Sequence, residues 1–254
     1  MADGKPRVLI TGAAGNIGST LWRAWEKEDR YEQTLADVQP IEGAESRTEI
    51  GDVRDLDFMR QICESQDVLV HLALLRDESS APDSGGVTDI GMSLALFEIA
   101  HQAGIGRIVY ASTNKITGAN PTTGTRAAFQ TPDQFNPNGW YGAMKGMAEI
   151  GGRMLVNAGD MRFIAVRVGT YSGQTEPDTL RACGYLLSPR DCVQLFGLAV
   201  DYEGPERFIV TYGTSGNAWG HHYSPLDINP AVDILGYKPQ DNMMQFRDRF
   251  EESE

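Results

Sequence analysis

The eight residues Thr11-Gly12-Ala13-Ala14-Gly15-Asn16-Ile17-Gly18 constrain this chain more than any other stretch, because they join an apolar β-branched run to an amphipathic one. Arg7 to Thr11 reads as a strand, and Asn16 to about Glu28 as a helix. Glycines at this spacing permit a tight turn, close approach of backbone to a pyrophosphate, and close packing of helix on strand. The new helix then offers unpaired N–H groups and the positive end of its dipole to the anion. The spacing is G-x-x-G-x-x-G rather than G-x-G-x-x-G. Its place, closing the first strand and opening the first helix, lifts it above a chance triplet. Gly12, Gly15, Asn16, Ile17 and Gly18 are therefore expected to hold a dinucleotide.

The same alternation continues along the chain. Strands are expected at Gln33–Ala36, Arg47–Ile50, Asp67–Leu72, Arg107–Ser112 and Arg162–Val168, with helices at Leu56–Ser65, Val87–Ala103 and Tyr141–Asn157. Strand six is apolar through most of its length, as a strand covered on both faces should be. Beyond Gly169 the pattern weakens into a Gly- and Pro-rich loop to about Pro189. A helix (Asp191–Val200), a strand (Arg207–Tyr212) and a terminal helix (Pro230–Leu235) follow. This is an α/β chain, a Rossmann-type doubly wound parallel sheet with a small C-terminal substrate-binding portion. Residues 1–169 are expected to form the dinucleotide core with the catalytic helix. Residues 170–254 form a portion that packs closely on it and is not independent.

Charge and cysteine content exclude several classes. The formal net charge of −13 would repel nucleic acid and anionic membranes. No apolar run approaches the roughly 18 residues of a membrane helix. The short polar start, Met1 to Pro6, is no signal peptide, and Cys63, Cys183 and Cys192 lack C-x-x-C spacing. A cytoplasmic protein with neither disulfide framework nor metal is expected. Only five lysines occur (5, 27, 115, 145 and 238), and such an acidic, lysine-poor chain suits either a salt-adapted host or a biased genome. His221-His222 has no further ligand at metal-binding spacing, so loop packing or a substrate hydrogen bond is its expected role. Trp22, Trp25 and Met243-Met244 are expected to pack the interior.

About twenty residues after the glycine loop, Asp37 follows the apolar end of strand two. A carboxylate there can accept both hydrogen bonds of an adenosine ribose diol and would repel a 2′-phosphate, which selects NAD over NADP. Asp52 and Val53, after strand three, are expected to flank the adenine. Further on, Tyr141-Gly142-Ala143-Met144-Lys145 puts a phenol and an ammonium four residues apart, on one face of a helix. A phenol of pKa about 10 is a poor base at neutral pH, and bringing it to about 7 takes roughly 4 kcal/mol. The ammonium and the charge of an oxidised nicotinamide can supply that stabilisation. Tyr141 would then take a hydroxyl proton as hydride leaves the same carbon. Ser112 and Thr113 end strand five, where an open parallel sheet exposes its crevice. One is expected to orient the reacting group and the other to cap the turn.

Taken together, these residues resemble the extended short-chain dehydrogenase/reductase (NAD-dependent epimerase/dehydratase) family, across nearly the whole chain. The resemblance implies Thr113 as the catalytic hydroxyl, Tyr141 as the base, Lys145 as the ribose-binding lysine, and Leu72, Ala73 and Val168 along the cofactor. Within the family the chain looks most like the uronate dehydrogenases, through Ser112-Thr113-Asn114, Asn138-Gly139-Trp140-Tyr141-Gly142, Arg167-Val168-Gly169, Arg181 to Asp191 and Leu235 to Asn242. That likeness implies oxidation of the C1 hydroxyl of an anionic sugar, a hexuronate to its aldarolactone. The implied substrate contacts are Ser112, Thr113, Asn114, Thr170 and Arg181, whose guanidinium suits a carboxylate. Lys115 stands in place of a histidine, Arg76 near a substrate-contacting serine, and Asp89 where the family commonly has asparagine. The first two changes add positive charge, so a sugar phosphate or sulfonated sugar would also suit. An epimerase or dehydratase that retains NAD, and a non-catalytic NAD-binding protein, are the alternatives. A homo-oligomer, a dimer through the long helices after strands four and five, is implied by resemblance.

Overall fold

The computed structural model describes residues 4–75, 86–118, 135–217 and 225–251. The first half alternates strand and helix: β1 (Arg7–Thr11), α1 (Asn16–Lys27), β2 (Glu32–Asp37), β3 (Arg47–Ile50), α2 (Leu56–Cys63), β4 (Val68–His71) and α3 (Gly86–Gln102). The second continues with β5 (Arg107–Thr113), α4 (Trp140–Ala158), β6 (Arg162–Val168), α5 (Leu180–Tyr185), α6 (Pro189–Asp201), β7 (Phe208–Gly213), α7 (Asn229–Leu235) and α8 (Asp248–Glu251).

Among the described residues the strands form one seven-stranded parallel sheet in the order β3-β2-β1-β4-β5-β6-β7. The order reverses between β1 and β4. There the crossovers leave the sheet in opposite directions and a crevice opens at the carboxyl ends of the strands. One apolar layer joins α1, α6 and α7 to the sheet, and Trp22 and Trp25 are buried in it. The other lies under α2, α3 and α4, around Phe97, Tyr110 and Phe163. Because β7 extends the sheet beyond β6, residues on both sides of position 169 share the first layer. Among the described residues no helix is long and apolar enough to cross a membrane.

The helix expected to be terminal, α7, is followed by α8, and two other helices depart from the sequence expectation at their starts. The stretch read as loop to Pro189 contains α5, started by Thr179, whose side chain accepts from Ala182 N at 3.2 Å. Helix α6 begins two residues before the expected Asp191, because Ser188 caps it and Pro189 fits its first turn. Both starts are set by local capping, which apolar periodicity does not register.

Candidate active site

The glycine loop is built so that no side chain could replace its first and third glycines. Gly12 has φ of +77°, and a Cβ there would fall 2.6 Å from Ala73 N. A Cβ on Gly18 would fall 2.4 Å from Gly12 O. The loop after β1 thus lies directly against the loop after β4. Helix α1 opens on Gly15 without any side-chain cap, so its first-turn N–H groups face the crevice. These features fit a dinucleotide pyrophosphate.

A cavity of about 1030 Å³ runs along the carboxyl ends of the strands. It is lined by every expected cofactor residue: Gly12, Gly15, Asn16, Ile17, Gly18, Asp37, Asp52, Val53, Leu72, Ala73, Tyr141, Lys145 and Val168. Asp37 is held in place by two backbone donors, Ala14 N to Oδ2 at 2.9 Å and Gln39 N to Oδ1 at 3.0 Å. Asp52 is clasped by Arg54, which draws its carboxyl below the usual range. Val38, Gln39 and Arg54 at the same end, and Tyr171, also line the cavity and were not foreseen. Tyr171 has no motif around it; its hydroxyl donates to Thr20 on α1 at 2.6 Å.

At the opposite end of the cavity, β5 and α4 bring Thr113, Tyr141 and Lys145 together. Helix α4 is set close to the turn after β5 by Gly142, where a Cβ would meet Lys115 O at 2.5 Å. The two adjacent hydroxyls separate as strand neighbours must. Ser112 donates to buried Glu149 at 2.5 Å. Thr113 accepts from Lys115 N at 3.2 Å, and hydrogen bonding between its side chain and the Tyr141 phenol favours the phenolate.

Burial dominates the electrostatics of the pair. Lys145 is 3% exposed, with Nζ 4.6 Å from the centre of the Tyr110 ring. Desolvation pushes its pKa down to about 8, against the pull of the Asp89 carboxylate. The Tyr141 phenol is raised by burial, which outweighs Thr113, and Asp89 raises it further. Among the protein's own groups burial therefore outweighs the stabilising hydrogen bond to this phenol, whereas the sequence expectation also counted the charge of an oxidised nicotinamide. The water-poor pocket that holds the ammonium penalises the phenolate more strongly.

Of the expected substrate residues, Ser112, Thr113, Asn114, Lys115 and Thr170 line the cavity. Arg181 does not: it is exposed on α5 with its guanidinium 4.2 Å from the centre of the Tyr185 ring. Its helix still borders the site, since Tyr185 O accepts from Thr170 N. Arg76, His221 and His222 lie outside the described residues. Among the described residues no cluster of three His, Cys, Asp or Glu could hold a metal.

A parallel sheet with a glycine-rich phosphate loop at its switch point, and a Tyr–Lys helix across the crevice, defines a dinucleotide-dependent enzyme fold. The chain belongs to the NAD dependent epimerase/dehydratase family, whose family model matches residues 8–186, and its cofactor is NAD. It is 28% identical to a NAD-dependent glucose-6-phosphate dehydrogenase of Haloferax volcanii, over 94% of this chain and 95% of that one. An L-arabinose 1-dehydrogenase (NAD(P)(+)) of the same organism is 29% identical, over 93% and 97%. Among solved structures, uronate dehydrogenase from Agrobacterium tumefaciens, as a tyrosine-to-alanine mutant complexed with NAD, superposes with a TM-score of 0.82. The identity is 26%, covering 99% of this chain and 91% of that one. These relatives are NAD-dependent sugar dehydrogenases.

Proposed function

We propose that the protein oxidises the C1 hydroxyl of an anionic monosaccharide, with a hexuronate going to its aldarolactone as the first choice and a sugar phosphate or sulfonated sugar as the others. The observation that carries this reading is the convergence of Thr113, Tyr141 and Lys145 with a further cation, Lys115, at one end of the cavity that the glycine loop closes at the other. Bound NAD supplies the hydride acceptor. Thr113 hydrogen-bonds the sugar hydroxyl and orients it, and Tyr141 takes its proton. Lys145 stabilises the phenolate and holds the ribose of the cofactor. Lys115 pairs with the sugar's anionic group, with Asn114 and Thr170 as neutral donors beside it. Arg181, one helix away, serves this anion only through a change of side-chain rotamer.

The deciding experiment supplies NAD with galacturonate, glucuronate, glucose 6-phosphate and neutral arabinose, and follows NADH. Formation of NADH with the charged sugars, lost in Tyr141→Phe, supports the reading. NAD that stays tightly bound, with no net NADH formed from any sugar, would favour the epimerase or dehydratase alternative.

The same reading extends to assembly. Met147, Ile150 and Met154 form an exposed apolar stripe on α4, at spacings that share one helix face. Leu94 on α3 lies beside it, against Gly151. A second copy of this chain, pairing through α3 and α4, is the proposed partner.

A further inference from the structure

The mechanism above makes no use of a buried carboxylate that lies within electrostatic reach of both its working groups. Asp89 sits in the first turn of α3, where an acidic residue ordinarily faces solvent and complements the helix dipole. Here it is 2% exposed. Its Oδ1 accepts the backbone N–H of Leu75 at 3.0 Å, and Leu75 belongs to the loop after β4 that lines the cavity. One turn along the same helix face, Ser93 contacts His71 Nε2 at 3.2 Å and is hydrogen-bonded to Tyr110. The face of the Tyr110 ring in turn carries the Lys145 ammonium. Asp89 therefore lies on the side of α3 turned toward the catalytic helix, and its charge acts on Tyr110, Tyr141 and Lys145 alike.

We propose that Asp89 is a positioning residue of the catalytic site, a buried carboxylate that holds Lys145 in its ammonium form and ties it to the cofactor-lining loop after β4. The proposal rests on Tyr141 and Lys145 being the working pair. The hydrogen bond to Leu75 does not by itself need a charge, since a carboxamide oxygen would accept the same N–H. What the carboxylate adds is an anion in a region where a lone ammonium would tend to lose its proton. The other titratable groups facing this space are His71 on β4, Tyr110 on β5, and Tyr141 and Glu149 on α4. Burial keeps His71 neutral and Tyr110 protonated. Glu149 is occupied by Arg167 and Ser112. Asp89 is thus the anion left to face Lys145 among the described residues. The same negative charge opposes the phenolate of Tyr141, so neutralising it lowers the proton affinity of both groups.

With only five lysines in the chain, the test is a 13Cε-lysine NMR titration of the protein with and without NAD, with Lys145 assigned from the spectrum of Lys145→Arg. In the unaltered protein Lys145 is expected to titrate near 8. Asp89→Asn is expected to lower that midpoint by about one unit or more. It should also move both limbs of the kcat/KM profile to lower pH, whichever group each limb reports. Asp89→Glu should retain the unaltered behaviour. An unchanged Lys145 midpoint in Asp89→Asn overturns the proposal. Should that variant not fold, Asp89→Ser is titrated in its place: a lowered Lys145 midpoint supports the proposal, and a midpoint equal to that of the unaltered protein overturns it. The titration is read whatever the sugar, so inactivity toward every sugar would defeat the functional reading without deciding this one.

Discussion

Glu149 and Arg167 form a bidentate pair, Nε to Oε1 at 3.0 Å and Nη2 to Oε2 at 2.8 Å, with each side chain about one-hundredth exposed. The pair locks α4, two turns beyond Tyr141, to β6. Burial of an ion pair is compensated only while both partners remain. Arg167→Met should therefore destabilise the fold by about 3–5 kcal/mol, leaving a bare carboxylate behind. Glu149→Leu combined with Arg167→Met should lose much less than the sum of the single changes. Urea unfolding of the three variants measures this, and strict additivity would show that the pair is not coupled.

The same carboxylate separates the two hydroxyls at the end of β5. Ser112→Ala removes one donor to Glu149 and should cost roughly 1–2 kcal/mol of stability while leaving most of kcat. Thr113→Val removes the hydroxyl that neighbours Tyr141 and should lower kcat by about 10²-fold or more, with unfolding little changed. Steady-state rates beside melting curves test the split. Equal effects on kcat would mean that Ser112 also reaches the substrate.

The sheet and the cofactor end were legible because they are written in local signals. Alternating apolar runs fixed the order of elements, and a glycine triplet between β1 and α1 has one principal physical use. Asp37 was found from its distance along the chain and the end of β2. The substrate end was less legible, because its contacts depend on how separate segments meet. Arg181 and Tyr185 are four residues apart on α5, a helix hidden in a Gly- and Pro-rich stretch, so nothing local signals that the guanidinium lies on Tyr185 rather than in the cavity. Asp89 stood out only as a departure from the family's asparagine and nothing singled out Glu149; the packing of α3 and α4 buries both. The raised phenol of Tyr141 likewise follows from burial, which a four-residue spacing does not report.

Asp37 makes the cofactor choice testable. Its carboxylate is fixed by Ala14 N and Gln39 N at the carboxyl end of β2, beside the glycine loop. Asp37→Asn keeps the shape, loses the repulsion toward a 2′-phosphate and weakens the bond to a ribose diol. Affinity for NAD should fall about tenfold, a change of about 1.4 kcal/mol, and the preference over NADP should shrink further. Fluorescence titration with both cofactors measures it. An unchanged preference would place the discrimination elsewhere, for instance at Arg54.

His71 sets an acid limit on stability. It is fully buried, bonded to Thr11 Oγ1 at 2.7 Å and Ser93 Oγ at 3.2 Å. Burial chiefly, with Lys145 nearby, depresses its pKa from 6.5 to about 3. The unfolded chain thus binds a proton that the folded chain refuses between those values. The stabilising effect is complete above 6.5 and is lost progressively as pH falls toward 3. The slope approaches roughly 1.4 kcal/mol per pH unit from this group. Unfolding at pH 7.5 and pH 5 should show a larger loss for the unaltered protein than for His71→Gln, by about 2 kcal/mol. Parallel losses in the two proteins would assign the acid sensitivity to other groups.

The apolar stripe on α4 is suited to pairing with a second copy of the chain. Met147 is 49% exposed, Ile150 59% and Met154 57%, on the outer face of the helix whose inner face carries Lys145 and Glu149. Exposed apolar side chains scattered singly need no explanation, whereas three in line beside Leu94 on α3 make a continuous patch. Gly151 lets α3 approach closely, since a Cβ there would fall 2.2 Å from Leu94 Cδ2. A two-fold axis along this surface would bring α3 and α4 of one copy against those of another, and the facing side chains would be self-complementary. Light scattering after size-exclusion chromatography should report a dimer at micromolar concentration. Ile150→Glu should yield a monomer that still binds NAD, because the substitution points away from the cavity. A monomer before substitution, or a dimer untouched by it, would remove α3 and α4 as the contact.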